Sequence, residues 1–434
     1  MTTPASPARR HPAAWVPTLY FAEGLPYFVV ALIAGLMYKS QGISNDEIAR
    51  FTGLLGFVWV FKPLWSPFLE AYRNKKAIVV LFQLAGGLSL ALAALALPLP
   101  SYFRYTIALL AVTSFCSATH DIAADGLYIA NLSASQQAAY AGWQGGFFNV
   151  ARFFSQGALV ILAGFLESRM GVTQAWMIIF GLLALIMVLL AAYHSWALPA
   201  TTGPVAAESM GGIWGTLKDV LVTFFQKKNV LLLIAFIILF RAAEGQVMTI
   251  GPLFLRDARA AGGLGLSTEQ VGAVYGTVAS LAFIGGSILG GYFTAWLGLR
   301  KALVFLICAM NLPNLAYVYL SMALPTNTAL IATALSLEMF GYGFGFVGLI
   351  LFMMQEVAPG RYQTAHYSLA TGFMQLGFVL FKMVSGDIQI ALGYQKFFVW
   401  VLLSAIPVLV LSRLIPFAEG TTAAGEPVSP PAPA

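Results

Sequence analysis

A chain of 434 residues that is 59% apolar and only 9% charged is far greasier than a soluble globular domain, which is nearer half apolar and a quarter charged. The composition excludes a soluble enzyme or binding module and implies an integral membrane protein. A net charge of +6 does not indicate a nucleic-acid partner, because the bases are scattered through short loops instead of gathered on one face.

A helical span needs about 20 apolar residues. Twelve such segments are predicted, near 14–37, 46–66, 77–98, 103–129, 138–165, 173–197, 230–254, 269–296, 301–321, 328–354, 363–390 and 394–415. The first follows MTTPASPARRHP; it is long and lacks a small-residue cleavage site, so it reads as a span and not as a signal peptide. The longest polar break, 198–229, follows the sixth segment. The Pro/Ala-rich tail is predicted to be disordered. The expected organisation is a cytoplasmic segment at 1–13, a six-helix half at 14–197, a cytoplasmic central loop at 198–229, a second six-helix half at 230–415 and a cytoplasmic tail at 416–434. With both termini inside, the inner loops hold more Lys and Arg than the outer ones, as the charge bias of membrane proteins requires. Cys116 and Cys308 sit in apolar runs and offer neither a disulfide framework nor metal-ligand spacing. No cofactor or metal is called for.

The halves resemble each other. Ala22-Glu23-Gly24 in the first span matches Ala243-Glu244-Gly245 in the seventh, and each span is followed by a helix-start signal, Ser44-x-x-Glu47 or Ser267-x-x-Gln270. Basic clusters at 72–76 and 299–301 fall at corresponding places. A 6+6 chain with internal similarity is the pattern of a major-facilitator transporter: all-α, with twelve transmembrane helices in two pseudo-symmetric halves. Gly142/Gly146, Gly286/Gly290 and Gly341/Gly345 have the spacing that lets helices approach closely.

An ionised side chain at mid-bilayer costs about 2.5–3.5 kcal/mol on insertion scales. Yet Glu23, His120, Asp121, Asp125, Arg152, Arg241, Glu244, Glu338 and Lys382 all lie within predicted spans. Thr113, Ser117, Asp121, Asp125 and Tyr128 share one helical stripe, as do Gln144, Arg152 and Gln156 in span five. Lipid cannot satisfy such faces; a water-filled cavity or mutual pairing can. Asp125 is a candidate gate partner for Arg73, Lys75 or Lys76. Arg241 and Glu244, three apart, either neutralise each other or serve a substrate. His120 is either a proton carrier or a neutral polar contact. Glu23 lies between Tyr20 and Tyr27, where Gly24 and Pro26 loosen the helix.

Three segments carry a family resemblance: Glu23-Gly24-Leu25-Pro26, Phe61-Lys62-Pro63-Leu64-Trp65-Ser66-Pro67, and Ala118-Thr119-His120-Asp121-Ile122 through Asp125. Together they resemble the AmpG-type permeases of the major facilitator superfamily, a family that includes muropeptide permeases and acetyl-CoA transporters, with similar proteins in siderophore uptake. The chain departs from the family pattern at His120, usually Gln, and at Asn131, where an acid is common. The resemblance implies a proton-driven importer in the bacterial cytoplasmic membrane, acting as a monomer on a small sugar-containing substrate; another saccharide or a siderophore is the alternative.

On that reading Glu23, His120, Asp121 and Glu338 are candidates for proton coupling, since burial favours the neutral form of a carboxyl and moves its titration toward neutral pH. Arg152 and Arg241 would hold an anionic group, with Glu244 beside them. Tyr20, Tyr27 and Trp143 would stack on sugar faces. Two other classes compete. A membrane enzyme would use Asp121-x-x-x-Asp125 to hold Mg²⁺ on a diphosphate, but no second Asp-rich motif is present; a sensor would bind ligand without moving it.

Overall fold

The computed structural model describes residues 11–66, 69, 74–199, 210–360, 362–415 and 417. Arg73, Arg9, Arg10 and nearly all of the 416–434 tail lie outside the described residues. The described chain is helical: α1 (Pro12–Ser40), α2 (Asn45–Phe61), α3 (Lys75–Ala96), α4 (Tyr102–Asn131), α5 (Ala134–Phe153, continuing through Phe154–Leu159 to Met170) and α6 (Val172–Ala197). A helix not expected in the central loop follows, α7 (Met210–Phe225). Then come α8 (Val230–Arg256), α9 (Thr268–Leu297), α10 (Leu299–Ala323), α11 (Thr328–Val357), α12 (363–392) and α13 (394–414).

Ten described stretches are long and apolar enough to cross a bilayer. The other two expected spans have physical reasons for escaping that count. α2 has only 17 residues. The last stretch is 50 residues long, and Gly393 breaks it with φ 70°, ψ 165°, a conformation that a side chain would resist. Adding α2 and dividing at Gly393 gives the expected twelve. Leu231 (76% exposed) and Trp296 (79% exposed) would be liabilities in water; in a bilayer they face lipid.

Contacts divide the chain into two compact units, Met1–Met37 with Phe61–Ile213, and Tyr38–Val60 with Trp214–Ala434. In the first, Gly24 of α1 lies against Ala151 and the Phe148 carbonyl of α5, leaving no room for a Cβ. In the second, α2 packs along α12, with Gly53 against Met383 and Gly56 against Val379. Gly286 and Gly290 of α9 sit on the backbone of Phe340 and Phe344 in α11, while Gly341 and Gly345 of α11 sit on α10. These pairs are packing devices. Gly142 and Gly146 are not, for a Cβ at either meets nothing within 4 Å.

Helix starts follow the sequence signals. Ser267 and Gln270 form a reciprocal capping box, and so do Ser133 and Gln136. At α2 the Ser44 hydroxyl donates to Glu47 at 3.1 Å. Two of the helix interruptions go with a proline. A π-helical turn, Val29–Ile33, follows Pro26 in α1. α8 breaks at Arg241 (φ −89°, ψ 2°), and α10 breaks at Leu312–Asn314, where Pro313 lacks the N–H that a helix needs. In α7, Phe224 is buried against Phe373 and His366, whereas Trp214 and Phe225 are half-exposed.

Candidate functional site

The first unit gathers charge around the end of α4. Lys62 stands on a 3₁₀ turn (Lys62–Leu64) opened by Pro63. Its ammonium pairs with the Asp121 carboxylate. One turn on, Asp125 Oδ1 accepts from the Tyr20 hydroxyl at 3.0 Å and from Gln144 Nε2 at 3.2 Å. Glu23 of α1 lies close to both acids. One carboxylate oxygen from each of Glu23, Asp121 and Asp125 lies within 4.8 Å of the others. Tyr20 also meets Tyr128 edge-on, centroids 5.8 Å apart. The i, i+4 spacing of Asp121 and Asp125 puts both on the face toward α1, which is why the stripe closes on Glu23 and Tyr20.

His120 faces elsewhere. Its Nε2 is 2.9 Å from Gln83 Nε2; Gln83 in turn reaches His194 Nδ1 at 2.8 Å, and His194 Nε2 reaches the Thr18 hydroxyl at 3.0 Å. This buried chain of polar groups joins α1, α3, α4 and α6. Arg152 is buried, with Nε 3.4 Å from Gln156 Oε1 at the start of the α5 π-helical turn. Tyr27 packs on Phe28 and Phe148. Trp143 is exposed and stacks on Phe147. Lys75 Nζ donates to the Leu69 carbonyl at 3.3 Å, with its stem against Gly126; Lys76 is half-buried.

The second unit has its own polar set. Arg241 Nε lies 2.9 Å from Glu244 Oε2, and the guanidinium sits over the rings of Phe378 (4.7 Å) and Phe346 (5.1 Å). The Arg–Glu approach is close but poorly aligned for a hydrogen bond, so it is chiefly an ion pair. Glu244 and Glu338 line one cavity together with Asn311, Asn314, Met248 and Tyr342. Lys382 is buried on α12.

Of the residues singled out in the sequence, Glu23, Tyr20, Asp121 and Asp125 come together, and Arg241 and Glu244 pair. Sequence reasoning left Lys62, Gln144, Asn311 and Asn314 out of the site. The signal for Lys62 was present: a lysine inside an apolar segment requires a counter-charge. Gln144 stood on the polar stripe of span five. The two Asn had no comparable signal beyond Pro313 between them.

Membrane-spanning helices with charged groups buried beside helix interruptions are what a solute carrier uses. The chain belongs to the Major Facilitator Superfamily, whose profile matches residues 18–381. It is thus a multi-pass transporter, not an enzyme. It is similar to an anhydromuropeptide permease of Escherichia coli (strain K12), 26% identical over 401 residues that cover 91% of this chain and 77% of the relative. Its fold is shared with a bacterial homologue of the human lysosomal transporter Spinster, solved inward-facing and unoccupied, at a TM-score of 0.71 and 14% identity, covering 94% of this chain and 97% of that one. It is shared also with a D-xylose-proton symporter, at a TM-score of 0.68 and 11% identity, covering 96% and 99%.

Proposed function

We propose that the protein is a proton-coupled importer of the bacterial cytoplasmic membrane, with both termini inside. Its cargo is a sugar-containing small molecule, a muropeptide or anhydro-muramyl saccharide, moved by alternating access. The observation that carries this reading is the Lys62–Asp121 pair set beside Glu23 and Asp125. Three carboxylates against one ammonium leave negative charge in a place with little water to screen it. An anionic saccharide is repelled there, and each proton that the cluster takes up lowers the repulsion. Protonation of Asp121 also removes the anionic partner of Lys62 and frees its ammonium for the cargo. Proton entry thereby becomes a condition of substrate entry, which is what coupling requires.

The other roles follow from chemistry. Arg152 and Arg241 offer planar guanidinium groups to a carboxylate. Tyr20, Tyr27 and Trp143 offer aromatic faces. Glu23 and Asp121 are the proton carriers of the first unit and Glu338 that of the second. Asp125, held by Tyr20 and Gln144, keeps its gating role with Lys75 and Lys76. We give His120 a structural role, because it is engaged with Gln83. The name of the Escherichia coli relative supports the cargo class.

The test is uptake of labelled N-acetylglucosaminyl-anhydro-N-acetylmuramic acid into cells expressing the protein, with and without a protonophore. Protonophore-sensitive uptake that is lost in Asp121→Asn is the expected result. Absence of uptake by a correctly inserted protein would sink this cargo and direct the search to other saccharides and siderophores.

A further inference from the structure

The cavity of the second unit has features that the transport of a saccharide does not explain. It lies beside two spans that are broken, α8 at Arg241 and α10 at Leu312–Asn314. Broken spans with buried polar groups are the usual way a membrane helix addresses a guest. The cavity is small: its empty space is about 220 Å³, below the roughly 300–1,000 Å³ of pockets that enclose an organic ligand. It suits a small guest better than a sugar conjugate.

The lining is rich in oxygen. It presents the carboxylates of Glu244 and Glu338, the carboxamides of Asn311 and Asn314 and the Tyr342 hydroxyl, with no basic side chain among the lining residues. Asn311 Nδ2 donates to the Ile307 carbonyl at 2.8 Å, which leaves its carbonyl oxygen for the cavity. Asn314 is the decisive group. It is 4% exposed, yet its carboxamide has no hydrogen-bond partner among the described residues. A carboxamide that the fold leaves without a partner and that lines the cavity is placed to meet a guest there.

Hard oxygen donors suit hard cations. With Glu338 ionised, the charges of Glu244, Glu338 and Arg241 sum to one negative unit, which matches a monovalent ion better than a divalent one; the cation and the proton then compete for Glu338. We propose that this cavity binds a single alkali-metal cation of about sodium's size, held by Asn311, Asn314 and Glu338. Binding stabilises the second unit across the two helix breaks. This goes beyond the importer reading above and depends on it only for the notion that a bound co-ion accompanies transport.

The experiment is thermal unfolding of the purified full-length protein in detergent, in NaCl, LiCl, KCl or choline chloride at matched ionic strength. The expected result is a saturable rise in Tm with sodium over choline, roughly 2–4 °C for a site that is well occupied. Asn314→Ala and Glu338→Gln abolish the rise. Asn314→Asp keeps the shape, adds a charge and shifts the sodium titration to lower concentration. Equal Tm in sodium and choline for the unsubstituted protein overturns the proposal, whatever the variants do. So does a sodium effect that persists unchanged in a folded Asn314→Ala or Glu338→Gln protein. Saccharide uptake without sodium binding would sink the cation site alone; sodium binding without saccharide uptake would sink the cargo assignment alone.

Discussion

Replacing Lys62 by Met removes the ammonium and keeps most of the stem. Asp121 then faces Glu23 and Asp125 with no counter-charge, although the oxygens of the three acids remain within 4.8 Å of one another. Unit charges about 4 Å apart interact by roughly 4 kcal/mol at an effective dielectric near 20. The Lys62 and Asp121 side chains keep 26% and 17% of their exposure, so water screens part of this, and a net coupling of about 2 kcal/mol is the reasonable figure. That equals about a 30-fold change in a folding or conformational equilibrium. The assay is a double-mutant cycle on detergent-solubilised protein with Lys62→Met, Asp121→Asn and both together. The single variants each lose stability, and the double variant recovers about 2 kcal/mol relative to their sum. Uptake is lost in all three, because restoring charge balance does not restore a titrating pair. Strict additivity of the two stability changes, within a few tenths of a kcal/mol, would refute the coupling. Full uptake by Lys62→Met would refute its functional part.

Other expected outcomes are simpler to read. At Gly24 an added Cβ would stand 2.7 Å from Ala151 Cβ and 3.1 Å from the Phe148 carbonyl; Gly24→Val should cost about 1–3 kcal/mol as overpacking, measured as a lower Tm, with Gly24→Ala milder. Gly146→Ala meets open space and should leave Tm unchanged or slightly raised, since Ala favours a helix by up to about 1 kcal/mol over Gly. Arg241→Ala strands the buried Glu244 and should cost about 3–5 kcal/mol, part of which returns in the double variant with Glu244→Ala. Arg152→Ala should raise KM for an anionic saccharide by about ten-fold or more, the loss expected for one charge-assisted hydrogen bond, while an uncharged analogue is affected less.

The architecture was legible because the bilayer leaves a sequence few options. Long apolar segments must be helices, their number fixes the fold, and the internal likeness of Glu23-Gly24 and Glu244-Gly245 indicated where buried charge would matter. Asp121 and Asp125 were found together because i, i+4 spacing is a property of one helix. What one sequence does not encode locally was harder to see. The partner of Asp121 is 59 residues away on a different helix, and nothing near Lys62 names it. The same holds for His120. A histidine beside an acid in a span suggests proton traffic, but its partners Gln83 and His194 sit on α3 and α6. The central loop concealed α7, because a short helix flanked by polar residues has no span-length apolar signal. The cavity beside α10 was the least visible, since an Asn after a Pro reads as a helix break and not as a ligand.

The helix interruptions and the polar clusters are two aspects of one constraint. A broken helix in a bilayer frees backbone groups that must find partners, so it survives only where polar side chains or water are at hand. In the first unit Pro26 and the following π-helical turn lie one turn beyond Glu23. In the second, the break at Arg241 immediately precedes Glu244, and the break at Pro313 carries Asn314. Each unit therefore has a charged group tied to a point of weakness in its own helices. On the proposed function, a proton or ion arriving there would alter the balance that keeps the break in its present form. Alternating conformations of a carrier must lie within a few kcal/mol of each other if a small ligand is to choose between them. Conservative substitution of the charged group, such as Glu23→Gln, should accordingly alter the distribution of conformations even without cargo, and the rates of trypsin cleavage at Lys75 and Arg300 would report it. A digestion pattern identical to that of the unsubstituted protein at every pH would show that the charge and the helix break are not linked.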